Sequence, residues 1–266
     1  MKEAAPMPLF DQVLPQFGWE IDSLKDPVIR QRDWMRDNTK SRSYPARLLR
    51  YWFVYHFMRT AAARRGAPLN VCEIGIDVGQ MREYVRTASA CHPEAAPQIA
   101  RWHGVDIKLK RDGLAGQGYD ELTEAGIDDV PGFIDPDTDI VILLHILEHL
   151  LEPEESMRSL SAALKPGALV LGGLPSLPHF LVGTREAKIR ANPNSNGHVS
   201  AFSPRRMREL AATCGFELDF ISGAFLARIS GSWLEDQPWW LRFNLFFAQM
   251  FPGWPGETYW VLRKVG

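Results

Sequence analysis

From Leu69 onward the chain alternates short apolar runs with polar, helix-capable stretches, and no other feature restricts its fold as much. Apolar runs of about four to eight residues between turn signals suit buried strands, and strands that alternate with helices form a mostly parallel sheet covered on both faces. Strands are expected at 70–74, 102–106, 119–124, 139–144, 168–172, 217–222 and 257–263. Seven such strands make a doubly wound α/β domain. Helices fit at 80–90, at 153–164 before Lys165-Pro166-Gly167, and at 204–214 between a Ser203 cap and a Gly215 stop. The connection between the second and third strands holds LKRDGLAGQG, which predicts a shortened helix.

Residues 1–66 read as a lead or lid segment before a domain at 67–266, and 266 residues with 45% hydrophobic content support one domain with an added piece. Pro6, Pro8, Pro15 and Pro27 break residues 1–39 into loops and short helices. Tyr44 and Pro45 then open a helix that ends at Gly66, with Leu48, Leu49, Trp52, Phe53 and Phe57 spaced to pack one face. The opening MKEAAPMPLFDQ has no apolar stretch behind a basic start, and no run approaches the ~18 apolar residues that span a bilayer, which predicts a cytoplasmic protein. Cys72, Cys91 and Cys214 lack metal-ligand spacing and are expected as buried thiols.

A net charge of −2 hides an asymmetry: residues 28–66 hold ten Lys/Arg against two Asp, whereas 112–155 hold thirteen Asp/Glu and no Lys or Arg. Solvated faces that pair with one another account for this, and an entrance for an anionic small-molecule acceptor is the sharper alternative. A pI near 6.4 and the lack of a recognised motif speak against nucleic acid.

Val71 to Gln80 carries an apolar strand into a glycine-containing turn and a helix, where backbone can approach a cofactor and helix N–H groups can receive an anionic group. Gly75-x-Asp77-x-Gly79 fails the dinucleotide fingerprint, which disfavours a nicotinamide enzyme. Asp106 ends the next strand, where a carboxylate can hold both hydroxyls of a ribose. His145 lies just past the fourth strand at the edge where sites of open α/β sheets collect. Glu148 and His149 follow one turn later, two residues that make a poor metal site without a third ligand, so no metal is expected. His198 closes a long connection at 174–197, expected as a turn-rich substrate loop and bringing a rival general base.

The segments EIGIDVGQ, GVDIK, TDIVILLHILEHLLEPEESMRSLSAALKPGALVLGGLPS and GHVSAFSPRRMRELAATCGFEL, in that order, resemble the class I S-adenosylmethionine-dependent methyltransferase superfamily, and within it the small-molecule branch with a "VLEH" box. The resemblance implies a seven-stranded sheet with a final antiparallel strand and S-adenosylmethionine as cofactor. It places Glu73, Gly75, Asp77 and Gly79 around the methionine part, Asp106 on the ribose, Asp128 beside the adenine and Leu144 in the cofactor wall. Asp77 departs from it, standing where the family has its middle glycine, and either crowds the cofactor or accepts from its ammonium. O-methylation of a small or carbohydrate-like acceptor is expected; N- or C-methylation and an inactive cofactor-binding partner module are the alternatives.

At about 232–255 a Trp/Phe-rich helical insertion goes beyond a minimal domain of this kind. Its apolar residues leave a narrow polar stripe at Glu235, Arg242 and Gln249, so the helix is expected to be covered by the N-terminal segment, by a second copy of the chain or by a membrane surface through 233–251.

Overall fold

The computed structural model describes residues 15–21, 24, 45–192, 197–227, 229 and 232–266. Most of the proline-punctuated opening, the 28–44 part of the basic run, Tyr44 and the 193–196 part of the turn-rich run lie outside the described residues.

Seven strands form one sheet: β1 (Leu69–Ile74), β2 (Ile99–Asp106), β3 (Glu121–Glu124), β4 (Ile140–Leu144), β5 (Leu169–Ser176), β6 (Phe216–Gly223) and β7 (Gly256–Lys264), in the spatial order β3-β2-β1-β4-β5-β7-β6. Strands β1 to β5 pair in parallel and β7 runs antiparallel to both β5 and β6. The expected α/β sheet is therefore present, with every predicted strand in place. Strand β4 shows why it sits near the centre. Ile140 and Ile142 enter one core while Val141 and Leu143 enter the other, so its unbroken apolar run is buried on both faces.

Helices α1 (Pro45–Arg65) and α2 (Gln80–Cys91) cover one face, the four-residue α3 (Arg111–Leu114) is the shortened helix, and α4 (Pro153–Ala163) covers the other face. Leu48, Leu49, Trp52, Phe53 and Phe57 of α1 are all buried in the same core as β1 and β4, and the Trp19 ring sets its edge against Trp52, Phe53 and Phe57. Helix α1 thus belongs to the core of the domain rather than to a separate lid. Cys72 and Cys214 are buried, but Cys91 is only half-buried because it lies in the last turn of α2.

The expected loop at 174–197 contains more structure than its turn residues suggested. Strand β5 continues to Ser176, and ten residues form α5 (Val182–Ala191). Only Val182 and Ile189 of α5 are buried, so the helix has no periodic apolar stripe to announce it. Helix α6 (Pro204–Thr213) follows, with the Ser203 hydroxyl accepting from the Arg206 N–H as the predicted cap.

Helix α7 (Pro238–Met250) corrects the reading of the Trp-rich insertion. Its polar stripe faces inward: Arg242 donates to the carbonyls of Gln16, Phe17 and Trp19, and Gln249 accepts from Gln16 Nε2 at 3.0 Å. Glu235 is buried and accepts from the Ile229 N–H at 2.6 Å. Leu241, Leu245 and Ala248 are buried, while Trp239, Phe243, Phe246 and Met250 are exposed among the described residues. Residues 15–19 therefore dock on α7 through backbone carbonyls, because a guanidinium has several donors in one plane to satisfy them. No helix among the described residues is long and apolar enough to cross a membrane.

Leu245→Ala is expected to lower unfolding free energy by about 2–5 kcal/mol, as for other fully buried leucines, whereas Trp239→Ser should change it by less than about 0.5 kcal/mol. Urea denaturation of both variants checks this.

Candidate active site

Strand order reverses between β1 and β4, and open α/β sheets bind ligands outside the carboxyl ends of the strands at such a point. Here the chain leaves β1 through Gly75 at φ 80°, Asp77 at φ 50° and Gly79 at φ 77° before entering α2. A Cβ on Gly75 would meet Ile146 Cδ1 at 2.1 Å, and one on Gly79 would meet Gln117 Oε1 at 1.7 Å; those side-chain ends could move aside, so the left-handed dihedral is what favours glycine at both positions. Asp77 is the non-glycine residue in this turn that adopts the left-handed conformation, which aspartate tolerates better than most residues.

The turn aims the Asp77 N–H at Asp106 Oδ2, 2.8 Å away, while Asp106 Oδ1 accepts from the Lys108 N–H at 3.0 Å. Each oxygen keeps a lone pair for a further donor. The Asp77 carboxylate pairs with Lys110 Nζ across the mouth of the turn, both side chains being exposed. Glu73 does not line the opening. It is buried beneath the turn, where Oε2 accepts from Trp102 Nε1 at 3.0 Å and from the Tyr119 hydroxyl at 3.1 Å. Burial pushes its carboxyl up to about 7, against those two hydrogen bonds.

A second polar group lies across the switch point. Leu144 ends β4 half-buried, and His145 follows at φ 57° with its N–H donating to the Gly173 carbonyl at 2.8 Å. His145 Nδ1 stands 3.0 Å from Glu148 Oε1, and Nε2 stands 3.9 Å from Glu257 Oε2. Glu257 opens β7 beside the end of β5, and it also accepts from Arg50 of α1 at 2.7 Å and from the Tyr259 hydroxyl. Burial works against the Arg50 charge, yet the Glu257 carboxylate more than offsets it and the guanidinium pKa is raised. Neither Arg50 nor Glu257 was singled out in the sequence. They are 207 positions apart, and only the return of β7 into the sheet brings them together.

His198 is held on the far side of Glu148. The Val199 and Ser200 N–H groups donate to the Glu148 carbonyl, and the His149 and His198 rings meet edge to face at 4.8 Å. Burial pushes the His198 imidazole below its usual value, partly countered by Glu148. Asp128 follows the third strand. It lies in the turn Ile127–Gly132, with Oδ1 accepting from Ser156 of α4 at 2.6 Å. The residue at the carboxyl end of β3 is Glu124, whose Oε2 accepts from the Leu109 N–H at 3.1 Å; the strand-end rule that found Asp106 finds it too. Gln117, also not anticipated, lies over Gly79 with Nε2 donating to the Val78 and Gly113 carbonyls.

Residues 42–219 match the family described as "Methyltransferase domain". The chain belongs to this family. It is a methyltransferase. Among solved structures, a candidate methyltransferase from Bacillus halodurans C-125 is similar with a TM-score of 0.52 at 16% identity, covering 79% of this chain and 99% of that one. The plantazolicin methyltransferase BamL, solved with a triazolic desmethylPZN analog and SAH, is similar with a TM-score of 0.52 at 12% identity, covering 92% and 98%. The carbon methyltransferase CurJ is similar with a TM-score of 0.52 at 14% identity, covering 84% and 56%. No curated protein sequence matches. These likenesses establish the shared fold. The glycine turn fits the cofactor that the resemblance implies, since the chain leaves β1 through left-handed Gly75, Asp77 and Gly79 at the switch point and a carboxylate stands at the end of β2.

The raised Glu73 pKa has a defined sign. The folded state holds this proton from the ordinary value of 4.5 up to about 7 while the unfolded chain has released it, so stability falls as pH rises through that window. Glu73→Gln keeps an acceptor for Trp102 and Tyr119 without the charge. Urea unfolding at pH 5 and pH 8 should show the wild type losing on the order of 2 kcal/mol more than the variant.

Proposed function

We propose that this methyltransferase transfers its methyl group to an oxygen of a small-molecule or carbohydrate-like acceptor, with His145 as the general base. The observation that carries the reading is the His145 ring. Glu148 is acceptor-only when ionised, so Nδ1 carries the proton and Nε2 keeps the lone pair. Nε2 is buried without a hydrogen-bond partner. Glu257 Oε2 lies 3.9 Å from Nε2, and because a hydroxyl has a single proton to give, an acceptor hydroxyl that reaches Nε2 donates it there rather than to the carboxylate.

S-adenosylmethionine supplies an electrophilic methyl on a sulfonium that departs as the neutral thioether S-adenosylhomocysteine. Around it, Asp106 receives the ribose hydroxyls, and Gly75, Asp77 and Gly79 bring backbone close to the methionine part, with Leu144 in the wall. Asp77 is accommodated by its left-handed backbone, and its carboxylate is directed to Lys110. At the acceptor, His145 Nε2 takes the hydroxyl proton as the oxygen forms its bond to the methyl carbon. The imidazolium that results is held between Glu148 and Glu257, whose charges oppose its own. Arg50 and Arg65, from the described part of the basic run, are committed to Glu257 and Asp139, so an anionic acceptor depends on the run's remaining residues. His198 is the rival base.

Asp106→Ala should weaken S-adenosylhomocysteine binding by about 1.5–3 kcal/mol in isothermal titration, the scale of a hydrogen bond to a charged group. An unchanged dissociation constant in the folded variant removes Asp106 from the ribose.

Turnover of His145→Gln at saturating cofactor should fall about 10²–10⁴-fold with cofactor affinity retained. Near-normal turnover there with a large drop in His198→Gln transfers the role to His198, and near-normal turnover in both points to an acceptor that needs no base, such as a carboxylate.

A further inference from the structure

We infer that Glu148, His149 and His198 form a binding site for a divalent transition-metal ion beside the acceptor position. A carboxylate oxygen of Glu148 and one ring nitrogen from each histidine lie within 4.8 Å of one another. Ligands that surround an ion at about 2.0–2.2 Å are themselves roughly 3–4 Å apart, so small side-chain rotations complete the set.

Proximity alone does not make a site, and three further observations mark this one as built. Glu148 is 2% exposed, Oε1 is occupied by His145, and Oε2 is buried with no hydrogen-bond partner. A buried carboxylate oxygen left unpaired is costly, and a cation removes that cost. His149 Nδ1 faces the Gly197 carbonyl at 3.2 Å; the carbonyl can only accept, so Nδ1 carries the proton and Nε2 keeps the lone pair that a metal needs. Finally, the two segments are fastened together before any ion arrives. Val199 and Ser200 N–H groups donate to the Glu148 carbonyl, the Ser200 hydroxyl donates to the Leu150 carbonyl at 2.7 Å, and Arg190 donates to the carbonyls of Val199 and Leu151.

Two imidazoles and one carboxylate favour zinc, cobalt, manganese or iron over magnesium or calcium, which prefer all-oxygen shells. Three protein ligands also leave coordination positions open, as in catalytic rather than structural sites. His149 is exposed and lines a cleft of about 510 Å³ with Asp128, Glu152 and Glu155, which provides an access route lined by carboxylates. The ion's open positions accept water or an oxygen of the acceptor, and the site stands whether or not His145 is the base.

The test uses the tag-free chain stripped with EDTA and titrated with Co²⁺ and then Zn²⁺, with bound metal counted by mass spectrometry and the cobalt ligand field read by visible absorption. One equivalent of Co²⁺ with a spectrum of mixed nitrogen and oxygen ligation, displaced by Zn²⁺, is expected for the wild type. His198→Asn and His149→Asn should each weaken binding by at least the roughly 10–100-fold that loss of even an outer-shell partner costs. Both sites of substitution are outside the core, thermal unfolding verifies that the variants fold, and His92→Asn, remote from the cluster, should bind as the wild type does. Well under one equivalent in the wild type, or a full equivalent with an unchanged spectrum in both imidazole variants, overturns the site.

Discussion

Between β1 and α2 the backbone must leave a strand buried on both faces and enter a helix within five residues, and it does so by passing three times through left-handed conformations, at Gly75, Asp77 and Gly79. Ordinary residues resist this geometry, so the turn is fixed by where glycine and aspartate stand. Much of the cofactor side follows from it. The turn points the Asp77 N–H at Asp106 and tethers the ends of β1 and β2. Glu73 supports it from below: its buried carboxyl group accepts from an indole and a phenol supplied by β2 and the approach to β3, which locks three consecutive parts of the sheet in one arrangement.

Across the crevice the chemistry is arranged by charge pairing rather than by backbone. Arg50 comes from the helix preceding the sheet, Glu257 from the last strand, and His145 and Glu148 from the segment after β4. None of these side chains has a complete set of partners within its own element. Arg50 neutralises Glu257, Glu257 faces His145, and His145 is held by Glu148, so removal of any member leaves a buried polar atom facing another without compensation. Helix α1 is therefore part of the site as well as of the core, since the face that buries Trp52 and Phe53 sets the position of Arg50.

Features carried by local sequence were legible. The seven strands, the Ser203 cap, the shortened α3, the glycine turn and Asp106 each follow from residues within one element and its flanks. What was hidden depended on distant residues or on missing periodicity. Nothing in the run around Trp239 shows that Arg242 binds carbonyls of residues 16–19, so the use of its polar stripe as a docking face was not legible. Helix α5 was invisible because it buries two side chains only. Asp128, which the resemblance places beside the adenine, follows β3 and accepts from Ser156, while Glu124 at the strand end is a second carboxylate in the same acid-rich stretch. His198 was recognised as a candidate base, but its place beside Glu148 and His149 needed the backbone bonds that join 148–151 to 197–200.

Strand β7 is synthesised after both β5 and β6, yet it lies between them and is hydrogen-bonded along its length on either side. As the polypeptide leaves the ribosome, the two earlier strands each present an open edge that no earlier segment fills, and such edges invite pairing with other chains. The same strand carries Glu257. The nascent protein can therefore assemble its glycine turn early, but the cluster of Arg50, His145 and Glu257 waits for the final insertion, so closing the aggregation-prone edges and completing that cluster are one event in time.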